Sequence, residues 1–372
     1  MASNTKNAIL AQHQANEDLN TPLLPQVARG DSDLAADGMR GPLDERIIAA
    51  ASAALEDGQT HYVDVPGIGP LRAAVADYLK GAAGASYQDS NILITAGMQE
   101  SRFLSIQMIG ERYDSIALPA VVHPGVRKAL GVRSRNPRTM PVNPAKGYLP
   151  SIDAIAQAAA DGTDGTAGRR LFYLESPSRL SGAAYTADEV AAISQIIADK
   201  DAAVIWDQGL APWVEGAYAS PAALDSDCAR IATIGEAFSG MGLASWFIGY
   251  IATPEAWLAS LQSQKQIMAI CTSTASQYAA LEAAQLYSEA QARQLSRLAQ
   301  LRADLLSAAG EAGLKVIGGE AVNLIALQLS QDNIKKISRA GIEFATGSLF
   351  GAPDVIRLNV NQSTAAALRA LN

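Results

Sequence analysis

Only three histidines and two cysteines occur among 372 residues. His13, His61 and His123 form no HExxH pattern, and Cys228 and Cys271 form no CxxC pair, so a zinc site is not expected. Two cysteines also make no disulfide framework, which fits a reducing, cytoplasmic setting. No apolar run reaches the roughly 18 residues that a membrane span needs, and Met1 to Asn20 is polar, without the apolar core of a signal peptide. The formal net charge of -8 argues against nucleic acid and anionic membranes as partners. Phosphate-binding fingerprints are missing too. Gly67-x-Gly69 and Gly240-x-Gly242 both lack the third glycine of a dinucleotide loop, and there is no GxxxxGK[ST] and no GxSxG.

What is present is a chain about half hydrophobic, ample for a large core. Residues 1–40 read as a polar arm. Leu43 to Asp57 and Leu71 to Leu79 read as helices. Short apolar runs then alternate with helical patterns. The runs are Asn91 to Thr95, Ser115 to Leu118, Leu171 to Leu174, Ala203 to Trp206, Ile231 to Ile234 and Trp246 to Ala252. The helical stretches include Glu100 to Gly110, Gly125 to Leu130 and Ala187 to Asp199, the last opened by a Thr186-x-x-Glu189 capping box. This alternation predicts an α/β fold with a mostly parallel sheet covered on both faces. A long helix, about Gln277 to Ala309, leads into a small α+β C-terminal unit with strands near Val322 to Leu329 and Val355 to Val360. The division expected is an arm (1–40), a large domain (41–258), and an interdomain helix with a small domain (259–372). Ligands of such sheets sit at the carboxyl ends of the strands, which directs attention to Gly97, Pro119, Ser176, Asp207 and Glu236.

Several segments, in order, carry a resemblance. They are Tyr62 to Arg72, Thr95-Ala-Gly97-Met98-Gln-Glu, Ser176-Pro-Ser-Arg179-Leu-Ser-Gly182, Asp207 at a strand end, Gly235-Glu-Ala-Phe-Ser239 through Gly249-Tyr250, and Ile356-Arg357-Leu358. Together they resemble the class I/II aminotransferases, fold-type I enzymes that use pyridoxal phosphate. The resemblance implies a PLP-transferase-like large domain, a homodimer with Tyr62 reaching the neighbouring site, and a small-molecule carboxylate substrate held by Arg357. If PLP binds, the resemblance implies that Gly97, Met98, Asp207 and Tyr250 touch it.

The departures fall on the cofactor contacts. Where the family keeps its imine-forming lysine, this chain has Ser239. Glu236 replaces a phosphate-binding serine and Phe247 the phosphate-binding arginine. Arg179 replaces the asparagine at the cofactor's hydroxyl, and Leu210 a tyrosine. Each lost charge-assisted hydrogen bond is worth roughly 1.5–3 kcal/mol. A carboxylate about 4 Å from a phosphate adds about 4 kcal/mol of repulsion at an effective dielectric near 20. The expectation is therefore an enzyme without conventional transamination and without a cofactor. PLP bound non-covalently or elsewhere is the alternative, and a non-catalytic ligand-binding protein the third reading.

In the first reading Asp207 and Glu236 supply charge or proton transfer and Ser239 lines the pocket, either as a hydrogen-bonding group or as a small filler. Arg179 orients a second anionic group, or salt-bridges Glu236. His123 stacks on a ligand or is an ordinary loop residue, and Tyr62 is an intersubunit contact or a packed aromatic. Lys265, in a polar helical stretch, is a remote candidate for an amine.

Overall fold

The computed structural model describes residues 43–132, 137–160, 169–243, 246, 248–339, 342 and 344–370. The expected arm at 1–40 and Phe247 lie outside these. Helix α1 (Glu45–Glu56) begins at Asp44, whose carboxylate caps the Arg46 N–H. Helix α2 (Gly69–Ala83) follows a turn in which Gly67 holds φ +98°. A side chain at Gly67 would also run into Ile94, with Cγ1 only 2.6 Å from the added carbon.

The large sheet contains β1 (Ile92–Ala96), β2 (Ser115–Pro119), β3 (Arg138–Met140), β4 (Arg170–Glu175), β5 (Ala203–Asp207), β6 (Ile231–Glu236) and β7 (Ile248–Ala252), in the order β1-β7-β6-β5-β4-β2-β3. The four pairings β3/β2, β2/β4, β4/β5 and β5/β6 are parallel, while β7 runs antiparallel to both β6 and β1. The strands are apolar on both faces because helices cover both. Ile47, Leu71, Phe172, Val204 and Trp206 form the core of one face. Leu93, Ile106, Tyr173, Ile205 and Leu261 form the other.

The crossover helices are α3 (Gly97–Leu104), α4 (Pro124–Gly131), α5 (Ile152–Ala160) and α6 (Ala187–Asp199). Helix α6 carries the capping box, with Thr186 and Glu189 bonded reciprocally. Helix α3 starts earlier than the apolar pattern suggests, at Gly97 with φ +73°, and passes through one wider turn (Ser105–Ile109) before ending.

Helix α7 (Glu255–Met268) precedes the 38-residue helix α8 (Thr274–Glu311). The division drawn at 258/259 falls inside α7. Helices α1 and α2 pack along α8 on one side, and α10 (Gln362–Arg369) does so farther along. A second sheet, fully antiparallel, has the order β10 (Ala345–Thr346), β11 (Val355–Asn359), β9 (Leu324–Gln328), β8 (Lys315–Ile317). It is backed by α8 and α9 (Gln331–Arg339), over a core that includes Leu305, Ile325, Ile337 and Ile356. Among the described residues no helix is long and apolar enough to cross a membrane.

Candidate active site

Strands β4 and β5 end side by side, with Glu175 paired to Asp207 in register. In a parallel ladder, paired residues project to the same face, about 4.8 Å apart. Two carboxylates thus emerge together at the carboxyl edge of the sheet, and both are buried, Asp207 completely.

Asp207 is saturated with donors. Its Oδ1 accepts from Arg179 Nη2 at 2.9 Å, Arg179 Nε at 3.3 Å and the Gly209 N–H at 3.1 Å. Its Oδ2 accepts from the Tyr173 hydroxyl at 2.7 Å and from Arg102 Nε at 3.0 Å, with Arg102 Nη2 also at 3.0 Å. A carboxylate offers about four lone-pair positions, so none is left over. Burial alone would raise the Asp207 pKa. Arg179 and Arg102 outweigh it, helped by Tyr173 and Gly209, and hold the carboxyl well below the usual range. A group so firmly ionised is a poor acid or base near neutral pH, and the expected proton-transfer role of Asp207 gives way to that of an anchor for two guanidiniums.

Arg102 comes from α3, where it also donates from Nη1 to Gln99 Oε1 at 2.7 Å. Burial, the largest single influence, lowers its pKa, but Asp207, Tyr173 and Glu175 together raise it more, so it stays cationic. Arg179 lies just beyond the cis Ser176–Pro177 peptide. Its guanidinium lies over Gly209, where an added Cβ would be 1.8 Å from Nη2, so any side chain there would push the guanidinium off its place on Asp207. Arg179 pairs with Asp207, not with Glu236 as the sequence had suggested it could.

Glu175 holds two loops in place. Its Oε1 accepts the His123 N–H at 2.8 Å and its Oε2 the Arg179 N–H at 3.2 Å. Burial, and then the charge of Asp207, push its pKa up to about 7.

His123 caps α4, its Nδ1 accepting the Gly125 N–H at 3.1 Å, and meets Phe350 edge-on at 6.2 Å. It is buried, and that burial, followed by Arg102, Arg179 and Arg357, keeps the imidazole neutral. Arg357, on β11, donates from Nη1 to the Arg179 carbonyl at 2.9 Å and lies 5.6 Å over the Phe350 ring. Its buried Nε has no hydrogen-bond partner among the described residues. Burial and the nearby Arg179 push its pKa down to about 10, still cationic at neutral pH.

The other expected residues are placed differently. Ser239 donates to Glu236 Oε2 at 3.0 Å, which makes it a hydrogen-bonding residue and not merely a filler. The Tyr250 hydroxyl accepts from Gln208 Nε2 at 3.0 Å and closes against Gly235. Gly97 and Met98 open α3, where the Glu100 carboxylate folds back onto the Ala96 N–H. Tyr62 is 78% exposed, so within this chain it is not a packed aromatic. Lys265 is completely buried, not on a polar surface. Its Nζ bonds Glu100 Oε2 at 2.9 Å and Oε1 at 3.1 Å, and Thr272 Oγ1 at 3.2 Å.

Sequence reasoning missed Arg102, Tyr173 and Glu175. The signal for Glu175 and Tyr173 was a polar group inside or just after an apolar strand. Arg102 carried none beyond its place in a helix. A separate cleft of about 420 Å³, lined by Lys146, Tyr185, Glu189 and Glu320 among others, includes none of this cluster. Among the described residues no group of His, Cys, Asp and Glu could hold a metal ion.

Residues 30–372 match the family described as aminotransferase class I and II. A probable aspartate/prephenate aminotransferase of Aquifex aeolicus is 30% identical over 244 residues, covering 63% of this chain and 59% of that protein. A probable aspartate/prephenate aminotransferase of Thermus aquaticus is 24% identical over 331 residues, covering 85% and 83%. Among solved structures, the aspartate aminotransferase of Thermus thermophilus with maleate superimposes with TM-score 0.79 at 21% identity, over 89% of this chain and 87% of that one. A single mutant of the same enzyme gives 0.81 at 20% identity, over 98% and 94%.

Proposed function

Because the chain belongs to the class I and II aminotransferase family, we propose that it is an aminotransferase-like enzyme for a small amino-acid-like carboxylate, working in a site rebuilt to act without imine-bound pyridoxal phosphate. The observation that carries this reading is the saturation of Asp207 by Arg102, Arg179, Tyr173 and Gly209. The family uses this carboxylate to pair with a pyridinium. Here a cation would have to displace guanidiniums already bonded in a buried setting, and breaking a buried pair costs about 3–5 kcal/mol.

In this reading the residues at 207 and 239 do not suit that cofactor's ring and imine. At position 239 a hydroxyl cannot form an imine, and it is bonded to a carboxylate, Glu236. The buried amine of Lys265 is held by Glu100 and Thr272. In this reading Arg357 receives the substrate carboxylate, using the Nε that has no hydrogen-bond partner among the described residues. Arg179, fixed by Asp207, supplies positive charge beside it, and Glu236 with Ser239 offers hydrogen bonds for a polar or cationic group. As in the family, the protein works as a homodimer, with the exposed Tyr62 reaching the partner's site.

A second reading keeps PLP. The opening of α3 at Gly97 and Met98 favours it, because backbone N–H groups at a helix start suit a phosphate. The deciding experiment adds PLP to purified protein, reduces with borohydride and maps any modified lysine by mass spectrometry. It also follows melting with succinate or maleate, and product formation from small amino acids. The expected results are no visible imine band, no modified lysine, and stabilisation by the dicarboxylates that is lost in Arg357→Ala. That loss is about ten- to a hundredfold in affinity, the worth of one or two charge-assisted bonds. A PLP-modified lysine together with transamination would end the proposal. Ligand stabilisation with no turnover of any amino acid would point to a non-catalytic binding protein.

A further inference from the structure

Asp207 and Glu175 emerge as neighbours on adjacent strands, yet the protein treats them oppositely. The guanidiniums of Arg102 and Arg179 both go to Asp207. Among the described residues Glu175 receives two backbone N–H groups, those of His123 and Arg179, and no side-chain donor. The Arg179 residue is thus held at three points, its N–H by Glu175, its side chain by Asp207, and its carbonyl by Arg357.

The charged groups that face Glu175 are Asp207 on β5, Arg102 on α3, Arg179 in the loop after β4, and Arg357 on β11. Tyr173 on β4 and the neutral His123 before α4 complete its surroundings. Three guanidiniums thus stand beside two carboxylates, and among the described residues Glu175 and Arg357 are the two members of the five without an ion-pair partner.

We infer that Glu175 is a proton-linked positioning residue, so that capture of a carboxylate ligand at Arg357 draws one proton from solvent onto the Glu175 carboxylate. This rests on the proposed role of Arg357 as the carboxylate receptor. The physical reason is electrostatic. An anion bound at Arg357 cancels a positive charge that Glu175 feels, beside an Asp207 that stays ionised. The carboxylate of Glu175 then loses the field that kept its own negative charge tolerable. Protonation leaves the other oxygen able to accept a backbone N–H, so the Arg179 loop is kept while the charge is removed. The proton comes from solvent and returns there when the ligand leaves, and no bond of the ligand is altered.

The test is titration calorimetry of the full chain with succinate, near pH 8, in two buffers of different ionisation enthalpy. Wild type is expected to take up between about half and one proton per site, because a group that titrates near neutral pH is largely ionised there before binding. Its affinity is expected to fall as pH rises from 6 to 9, by up to about tenfold per pH unit above the range where Glu175 ionises. Glu175→Gln, which mimics the protonated side chain, should show no uptake and a flat pH profile. Glu175→Asp, which keeps the charge, should retain uptake. Binding of succinate with equal heats in both buffers overturns the inference and leaves the proposed function standing. Uptake that persists in Glu175→Gln also overturns it. Absence of succinate binding at every pH overturns both together. The wild-type buffer comparison needs no variant, so a poorly folding mutant does not protect the inference.

Discussion

At the scale of single residues, the chemistry turns on which carboxylate owns the arginines. Asp207 takes both Arg102 and Arg179 at 3.0 Å or less. Replacing it by Asn keeps the shape but leaves two guanidiniums buried without the carboxylate they bond. Asp207→Asn is expected to destabilise the protein by about 3–5 kcal/mol in urea unfolding. Adding Arg102→Leu to that variant should restore part of the loss, since one of the stranded charges is then gone. An unchanged unfolding midpoint in Asp207→Asn would mean that the cluster contributes nothing. Asp207 was legible in the sequence as a carboxylate ending a buried strand. Its partner Arg102 was not, because a helix shows an arginine the same way whether its side chain reaches solvent or a buried acid 105 positions away.

At the scale of elements, the short helix α3 is fixed from outside. Glu100 in its first turn reaches back to the Ala96 N–H and across to Lys265 on α7. Both side chains of this pair are largely out of solvent. Lys265→Met alone should cost about 3–5 kcal/mol, because it leaves Glu100 unpaired. The double variant with Glu100→Gln should cost distinctly less, so a double-mutant cycle should return a coupling well above the roughly 1 kcal/mol ceiling of exposed pairs. Additive losses would contradict this. The capping box of α6 was readable because its whole signal lies within four residues. Strand β3, only Arg138–Met140, was not, since three residues hold no periodicity. Lys265 was misread because its surroundings, Gln262 to Gln266, look solvated until α7 packs against α3 and the wide turn at its end.

At the scale of the whole molecule, the buried charges make stability depend on pH in opposing ways. Asp207 titrates lower in the folded chain than its ordinary value of 3.8, so its stabilisation is present above that pH and is lost as pH falls through the folded value. His123 stays neutral when folded, while the unfolded imidazole takes a proton below about 6.5, so folding again weakens toward acid. Glu175 has the opposite sign. Its pKa rises from 4.5 to about 7, so the folded state holds the extra proton between those values and stability falls as pH rises through that window. Glu175→Gln removes this one contribution. Its melting temperature relative to wild type should therefore be higher at pH 8 than at pH 5, by several degrees, since the shift is worth about 2–3 kcal/mol between those pH values and each kcal/mol about 2 °C in a chain of this order of size. Equal differences at both pH values would show that Glu175 titrates the same way folded and unfolded.

The sequence by itself determined the alternation of strands and helices, the long helix, a small α+β unit and the carboxylate Asp207 at a strand end. These follow from local patterns, and the absent lysine at 239 is a matter of composition at one position. Only the tertiary structure decided that Arg179 and Arg102 converge on Asp207, that Glu175 stands beside them holding backbone instead of a cation, and that Lys265 is buried. Coulombic partners in a folded chain are set by distance through space and by exclusion of water, and neither is written in the spacing of residues along the chain.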